Sequence, residues 1–170
     1  SMRRKEREIK DFDQIIEVLS RCRVLHLAMI SEGRPYSVPV NFGFIVNDKE
    51  KRSLSIFIHG AGKGKKVSAL KENPEVCFST ETGVSMESAN GTDVPCSWTC
   101  YYESIIGYGK VRFLDDFAER EKGLDALMLH NGYKIPAGIK KIAYGAMELA
   151  NTMVAEICVE EITGKRNRKK

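Results

Sequence analysis

The chain has 170 residues, 42% hydrophobic and 29% charged, the size and balance of one globular domain able to enclose a real core. No apolar run approaches the roughly 18 residues of a membrane-crossing helix, and no signal-like stretch follows the opening charges, so a soluble, cytoplasmic protein with no membrane partner is expected. The net charge of +4 sits at the ends: residues 1–8 and 165–170 hold nine of the 27 cations, and residues 9–164 carry a net of −3. These ends are expected to be flexible basic tails on a single domain spanning 1–170, and a slightly acidic body argues against a nucleic-acid partner.

The first element is DFDQIIEVLSRC, a helix over 11–22 in which Asp11 or Asp13 supplies the cap and Ile15, Ile16, Val18 and Leu19 the apolar face. VLHLAMI and YSVPVNFGFIV flank the turn-forming SEGRP and read as a hairpin; NDKEKR then turns into SLSIFIHG, giving three antiparallel strands in succession. After FIHGAGKGKK, a helix of about three turns is stopped by Pro74, and EVCFSTET follows as a strand. Residues 83–100 read as a long irregular excursion. YESIIGYGKVRFLDD is the next strand, bent or bulged at Gly107 and Gly109 as in a sheet curling into a barrel. A helix over 116–132, a further helix within 139–149 and a closing strand, VAEICVEEITG, complete the chain. Five cysteines at irregular spacings fit reduced thiols better than a disulfide framework, and the C-x3-C of Cys96 and Cys100 lacks a second ligand pair, so no metal is expected.

Three glycines and three lysines between Gly60 and Lys66 are suited to an anion: glycines let backbone N–H groups approach it, a helix start adds partial positive charge, and lysines add point charges. The stretch is not a Walker loop, because three residues rather than four separate Gly60 from Gly64 and Lys66 stands where a hydroxyl is needed. Nor is it a Rossmann turn, since G-x-G-x-G follows antiparallel strands. A phosphate monoester fits; so does a plain flexible turn with solvated lysines.

Four stretches, RRKERE at 3–8, PYSVPVNFGF at 35–44, FIHGAGKGKK with Asn73-Pro74, and YESIIGYGKVRFL at 102–114, together with the closing ITGKR, resemble the flavin-nucleotide-binding split barrels related to pyridoxamine 5′-phosphate oxidase, in the Nim-like branch associated with 5-nitroimidazole resistance. The resemblance implies a mainly β fold with flanking helices, a six-stranded antiparallel split barrel, and a homodimer holding FMN in clefts at the subunit interface. It implies that Val40, Asn41 and Phe42 line the isoalloxazine, that His59, Gly60 and Ala61 pass beneath the ribityl chain and ring edge, that Gly64, Lys65 and Lys66 hold the phosphate, and that Tyr102 and Ser104 complete the cleft. The residues themselves leave alternatives open: Val40 and Phe42 share a strand face and equally fit a core, and His59 equally fits an unliganded strand end. His26 and His130 stand outside the expected site. The implied function is an FMN-dependent oxidoreductase reducing a small planar acceptor, a nitroaromatic such as a 5-nitroimidazole being the candidate, with His59 as proton donor; the alternative is a non-catalytic flavin or haem carrier or sensor. The chain ends ITGKRNRKK where pyridoxamine phosphate oxidases proper carry an Arg-Leu-x-Pro-like segment, which argues against that particular reaction.

Overall fold

The computed structural model describes residues 4–169. In chain order these form β1 (Glu8–Ile9), α1 (Phe12–Arg21), β2 (Val24–Ser31), β3 (Arg34–Asn41), β4 (Gly43–Asp48), β5 (Ser53–Ala61), α2 (Lys65–Glu72), β6 (Glu75–Ser88), β7 (Trp98–Phe113), α3 (Phe117–His130), α4 (Ala146–Asn151) and β8 (Thr152–Asn167). All strand pairs are antiparallel, in the order β3-β2-β6-β7-β8-β5-β4, with β1 added to β8.

Local chemistry explains the elements that sequence reading expects. Asp11 accepts a hydrogen bond from the Gln14 amide at 2.9 Å and starts α1; Asp116 accepts from the Glu119 amide at 3.1 Å and starts α3, each cap contributing about 1 kcal/mol. Ile15, Val18 and Leu19 then turn one face of α1 fully into the core. The β2–β3 hairpin closes through Glu32 and Gly33, both at positive φ (52° and 70°), the geometry that matches the strands' twist. Phe78, Leu25, Leu27, Ile56, Ile58, Ile105 and Ile157 fill the interior enclosed by the sheet, while Phe57, Leu114, Leu127 and Val154 form a second cluster beneath α3.

Several expectations are corrected. The single strand expected over 36–46 is two: β3 pairs with β2 at one end of the sheet order and β4 with β5 at the other, the chain crossing over at Phe42. That division and the short β1 turn the six expected strands into eight. The excursion at 83–100 is half sheet, because β6 and β7 continue as a two-stranded ribbon to Ser88 and Trp98, with a register shift between Thr82 and Ser85, and only 89–97 is irregular or 3-10 helical. The helix within 139–149 is confined to the six residues of α4, starting after Gly145. Where described, the expected flexible ends carry strand pairing and ion pairs: Glu8 pairs with Lys165, β8 runs to Asn167, Arg168 binds Glu103 at 2.6 Å and Lys169 binds Glu87 at 2.7 Å. Residues 1–3 and 170, part of the same expectation, lie outside the described residues. The bend at Gly107–Gly109 is present as a register shift between Tyr108 and Gly109 against β8. All five cysteines are free thiols, and among the described residues no helix is long and apolar enough to cross a membrane.

Candidate functional site

The glycine-lysine stretch joins β5 to α2. Its last glycine, Gly64, is the N-cap of α2 at φ 114°, a backbone conformation that side chains resist, and no side chain caps the helix. The first-turn amides of α2 therefore face outward without a protein acceptor from a capping side chain.

Lys66 gives this corner its character. Its ammonium folds back over β5, 3.3 Å from where a side chain at Gly60 would begin. Any residue larger than glycine at position 60 would press on it. Lys66 is half-buried, and no carboxylate lies within ion-pairing distance among the described residues. Burial without a counter-ion holds its pKa below the ordinary lysine value. Lys65 points elsewhere, its Nζ 4.9 Å from the centroid of the Tyr36 ring. A phosphate fits these residues: an anion would supply the partner that Lys66 lacks and the acceptor that the helix start lacks.

His59 and Asn41 flank the same corner. β4 and β5 pair Gly43 with Phe57, two residues before His59, and β3, which ends at Asn41, touches β5. The His59 ring reaches solvent, yet crowding by neighbouring protein, and then the charge of Lys66, lower its pKa, so the imidazole is neutral at pH 7. Asn41 is exposed and donates through Nδ2 to the Arg23 carbonyl at 3.3 Å. Gly60 and Ala61 continue β5 against Met153 and Thr152 of β8.

Two other groups of expected residues are placed differently. Phe42 is fully buried, its ring 4.5 Å from that of His130 and its carbonyl accepting from Asn131 Nδ2 at 3.0 Å; Val40 packs on the core. The Phe42 side chain is therefore core, its backbone alone being open to a ligand, while Val40 is partly buried against the core. Tyr102 and Ser104 pair with Asn167 and Lys165, whereas His59 pairs with Val154. Lys165 lies eleven positions along β8 from Val154, at most about 36 Å if fully extended. One chain therefore does not bring Tyr102 and Ser104 to the His59–Lys66 corner. Sequence reading also misses His130, whose packing on Phe42 and Phe44 carries no local signal.

The model of the family described as pyridoxamine 5′-phosphate oxidase matches residues 11–166. The chain belongs to this family. Members of the pyridoxamine 5′-phosphate oxidase-like family share the split-barrel fold described above, mainly antiparallel sheet with flanking helices. Among solved structures, the chain is similar to a proposed 5-nitroimidazole antibiotic resistance protein from Bacteroides thetaiotaomicron, at 27% identity and a TM-score of 0.73 over 94% of this chain and 86% of that one. An FAD-binding protein from Mesorhizobium loti matches at 20% identity and TM-score 0.62, covering 95% of this chain and 98% of that one. An FAD and haem binding protein from Mycobacterium smegmatis matches at 18% identity and TM-score 0.77, covering 95% and 74%. The last two likenesses establish the fold alone. No functionally curated protein matches at a significant level.

Proposed function

We propose that this pyridoxamine 5′-phosphate oxidase-like protein is a cytoplasmic, FMN-binding oxidoreductase acting on a small planar acceptor, with a nitroaromatic such as a 5-nitroimidazole as the candidate substrate. The observation that carries the reading is the half-buried ammonium of Lys66, without a carboxylate partner, over Gly60 at the start of α2. Its chemistry calls for a phosphate, and the likeness to the Bacteroides protein supports the substrate class.

FMN, when bound, supplies two-electron redox chemistry at its ring system. The chain's own residues bind and orient it: Lys66 and the α2 amides take the phosphate, Lys65 adds a nearby exposed charge that can swing toward it, and Gly60 leaves the backbone open to close approach. Asn41 and His59 lie near this corner, and His59, whose pKa rises once a phosphate neutralises the charge of Lys66, serves as the proton donor in this reading. A second copy completes the cleft in this reading. The outward face of the sheet leaves Val24, Ile30, Ile106 and Tyr108 exposed, a surface suited to a homodimer, and the partner would contribute Tyr102 and Ser104.

Anaerobic reduction of the FMN-loaded protein by dithionite, followed by mixing with a 5-nitroimidazole, tests the reading through recovery of the oxidised flavin spectrum. Recovery faster than that of free reduced FMN is expected, and His59→Ala should retain flavin while slowing recovery about a hundredfold. Recovery no faster than free reduced FMN would reduce the protein to a flavin carrier.

The charge coupling at this corner has a separate readout. Lys66 lowers the His59 pKa, so an anion that neutralises Lys66 must raise it. Histidine NMR titration should show the His59 midpoint moving upward with inorganic phosphate, and also in Lys66→Ala without phosphate. An unmoved midpoint in both would separate the two residues.

A further inference from the structure

A cavity of about 500 Å³ opens on the other side of α3, between that helix, β4 and the segment 131–145. Its lining includes none of His59, Gly60 or Lys66. Its volume lies within the range of small-molecule pockets, and its apolar lining comes from Phe44, Ile45 and Ala126, with Ala118 and Leu129 at the exposed mouth.

The rim is charged but balanced in sign. Lys141 binds Glu121 at 2.5 Å, and Tyr144 donates from its hydroxyl to Asp125 at 2.8 Å. With Lys122 the lining holds two cations and two anions. The lining offers no net counter-charge, so a neutral occupant suits it best.

His130 supplies the directional group. Its Nε2 lies 2.8 Å from the Cys22 carbonyl oxygen, which only accepts, so Nε2 carries the proton and Nδ1 is left as an acceptor. Among the described residues nothing donates to Nδ1, yet no fully buried unsatisfied side-chain nitrogen is found, so Nδ1 has access to solvent. His130 is one of the residues lining this cavity. Its ring is fixed against Phe42 and Phe44, at centroid distances of 4.5 and 5.3 Å, which holds the acceptor in place.

We infer that the cavity between α3 and β4 is a second binding site, for a neutral planar aromatic molecule that donates one N–H or O–H hydrogen bond to His130 Nδ1. Indole is the probe, and N-methylindole, which has the same shape but no donor, is its control. In isothermal titration with the full chain, indole should bind saturably and N-methylindole about tenfold more weakly, the difference expected for one hydrogen bond to a partly buried acceptor. Ala118→Trp places bulk in the mouth from an exposed position and should abolish indole binding while leaving FMN binding intact. His130→Phe should erase the difference between the two indoles. Lys66→Ala should leave indole binding unchanged. Equal affinities for the two indoles, no saturable binding, or displacement of indole by FMN would each overturn the assignment.

Discussion

Replacing Lys65 and Lys66 together by alanine will weaken FMN binding by about a hundredfold and leave riboflavin binding unchanged. Charge-assisted hydrogen bonds contribute about 1.5–3 kcal/mol each, so loss of the Lys66 contact together with the nearby charge of Lys65 costs about 3 kcal/mol. Lys66 should dominate the effect. It is half-buried over Gly60, has no carboxylate partner among the described residues, and is the cation whose pKa burial lowers; Lys65 rests against Tyr36 with its charge near solvent. Flavin fluorescence titration of each single variant and the double variant reads this directly. Riboflavin, which lacks the phosphate, distinguishes loss of the anion site from general damage to the cleft. Equal FMN affinity in the double variant and the wild type would remove the phosphate from this corner.

Gly43→Ala will lower stability by about 3 kcal/mol, roughly 10 °C in the melting temperature for a chain of this length. A methyl group at position 43 would run into the backbone of Ala126 and Leu127, which are main-chain atoms of α3 and cannot swing aside as a flexible side chain does. Helix and strand must separate to admit it. The opposite case lies in the anion loop: a methyl at Gly62 meets nothing within 4 Å, and Gly62→Ala should change stability by less than about 0.5 kcal/mol. Differential scanning calorimetry of the pair separates close packing from a general intolerance of glycine replacement. A Gly43→Ala protein as stable as the wild type would show that α3 is held more loosely against β4 than its contacts imply.

The legible parts of this chain are those whose causes are local. Asp11 and Asp116 announce helices because a cap acts within three residues, and Glu32-Gly33 announces a hairpin because two residues set the turn. The Gly60–Lys66 stretch is legible in the same way, since its chemistry depends on glycines and lysines that are neighbours in sequence. What is hidden depends on partners far along the chain. Nothing near Phe42 marks it as the crossing point between two ends of the sheet, because the apolar alternation runs through it unbroken. Gly83, Asn90, Gly91 and Pro95 suggest loop, yet Ser85–Ser88 find strand partners in Trp98–Tyr101. The basic run at 165–169 reads as solvated until Glu8, Glu87 and Glu103 are seen opposite it. Likewise, the separation of Tyr102 and Ser104 from His59 is set by where each pairs on β8, which composition cannot reveal.

The place of β8 also governs the order in which the chain can become a protein. It is the last of the described strands in sequence, yet it lies between β7 and β5, and through it the β4–β5 pair joins the rest of the sheet order. Until residues 152–167 leave the ribosome, the β2–β3–β6–β7 portion and the β4–β5 hairpin each have an unclaimed edge where that strand will go. A nascent chain lacking this segment is two unjoined sheets with exposed rims, open to chaperones or to pairing with other nascent chains. Its closure is then a single late event, in which one strand zips both edges at once and encloses the interior.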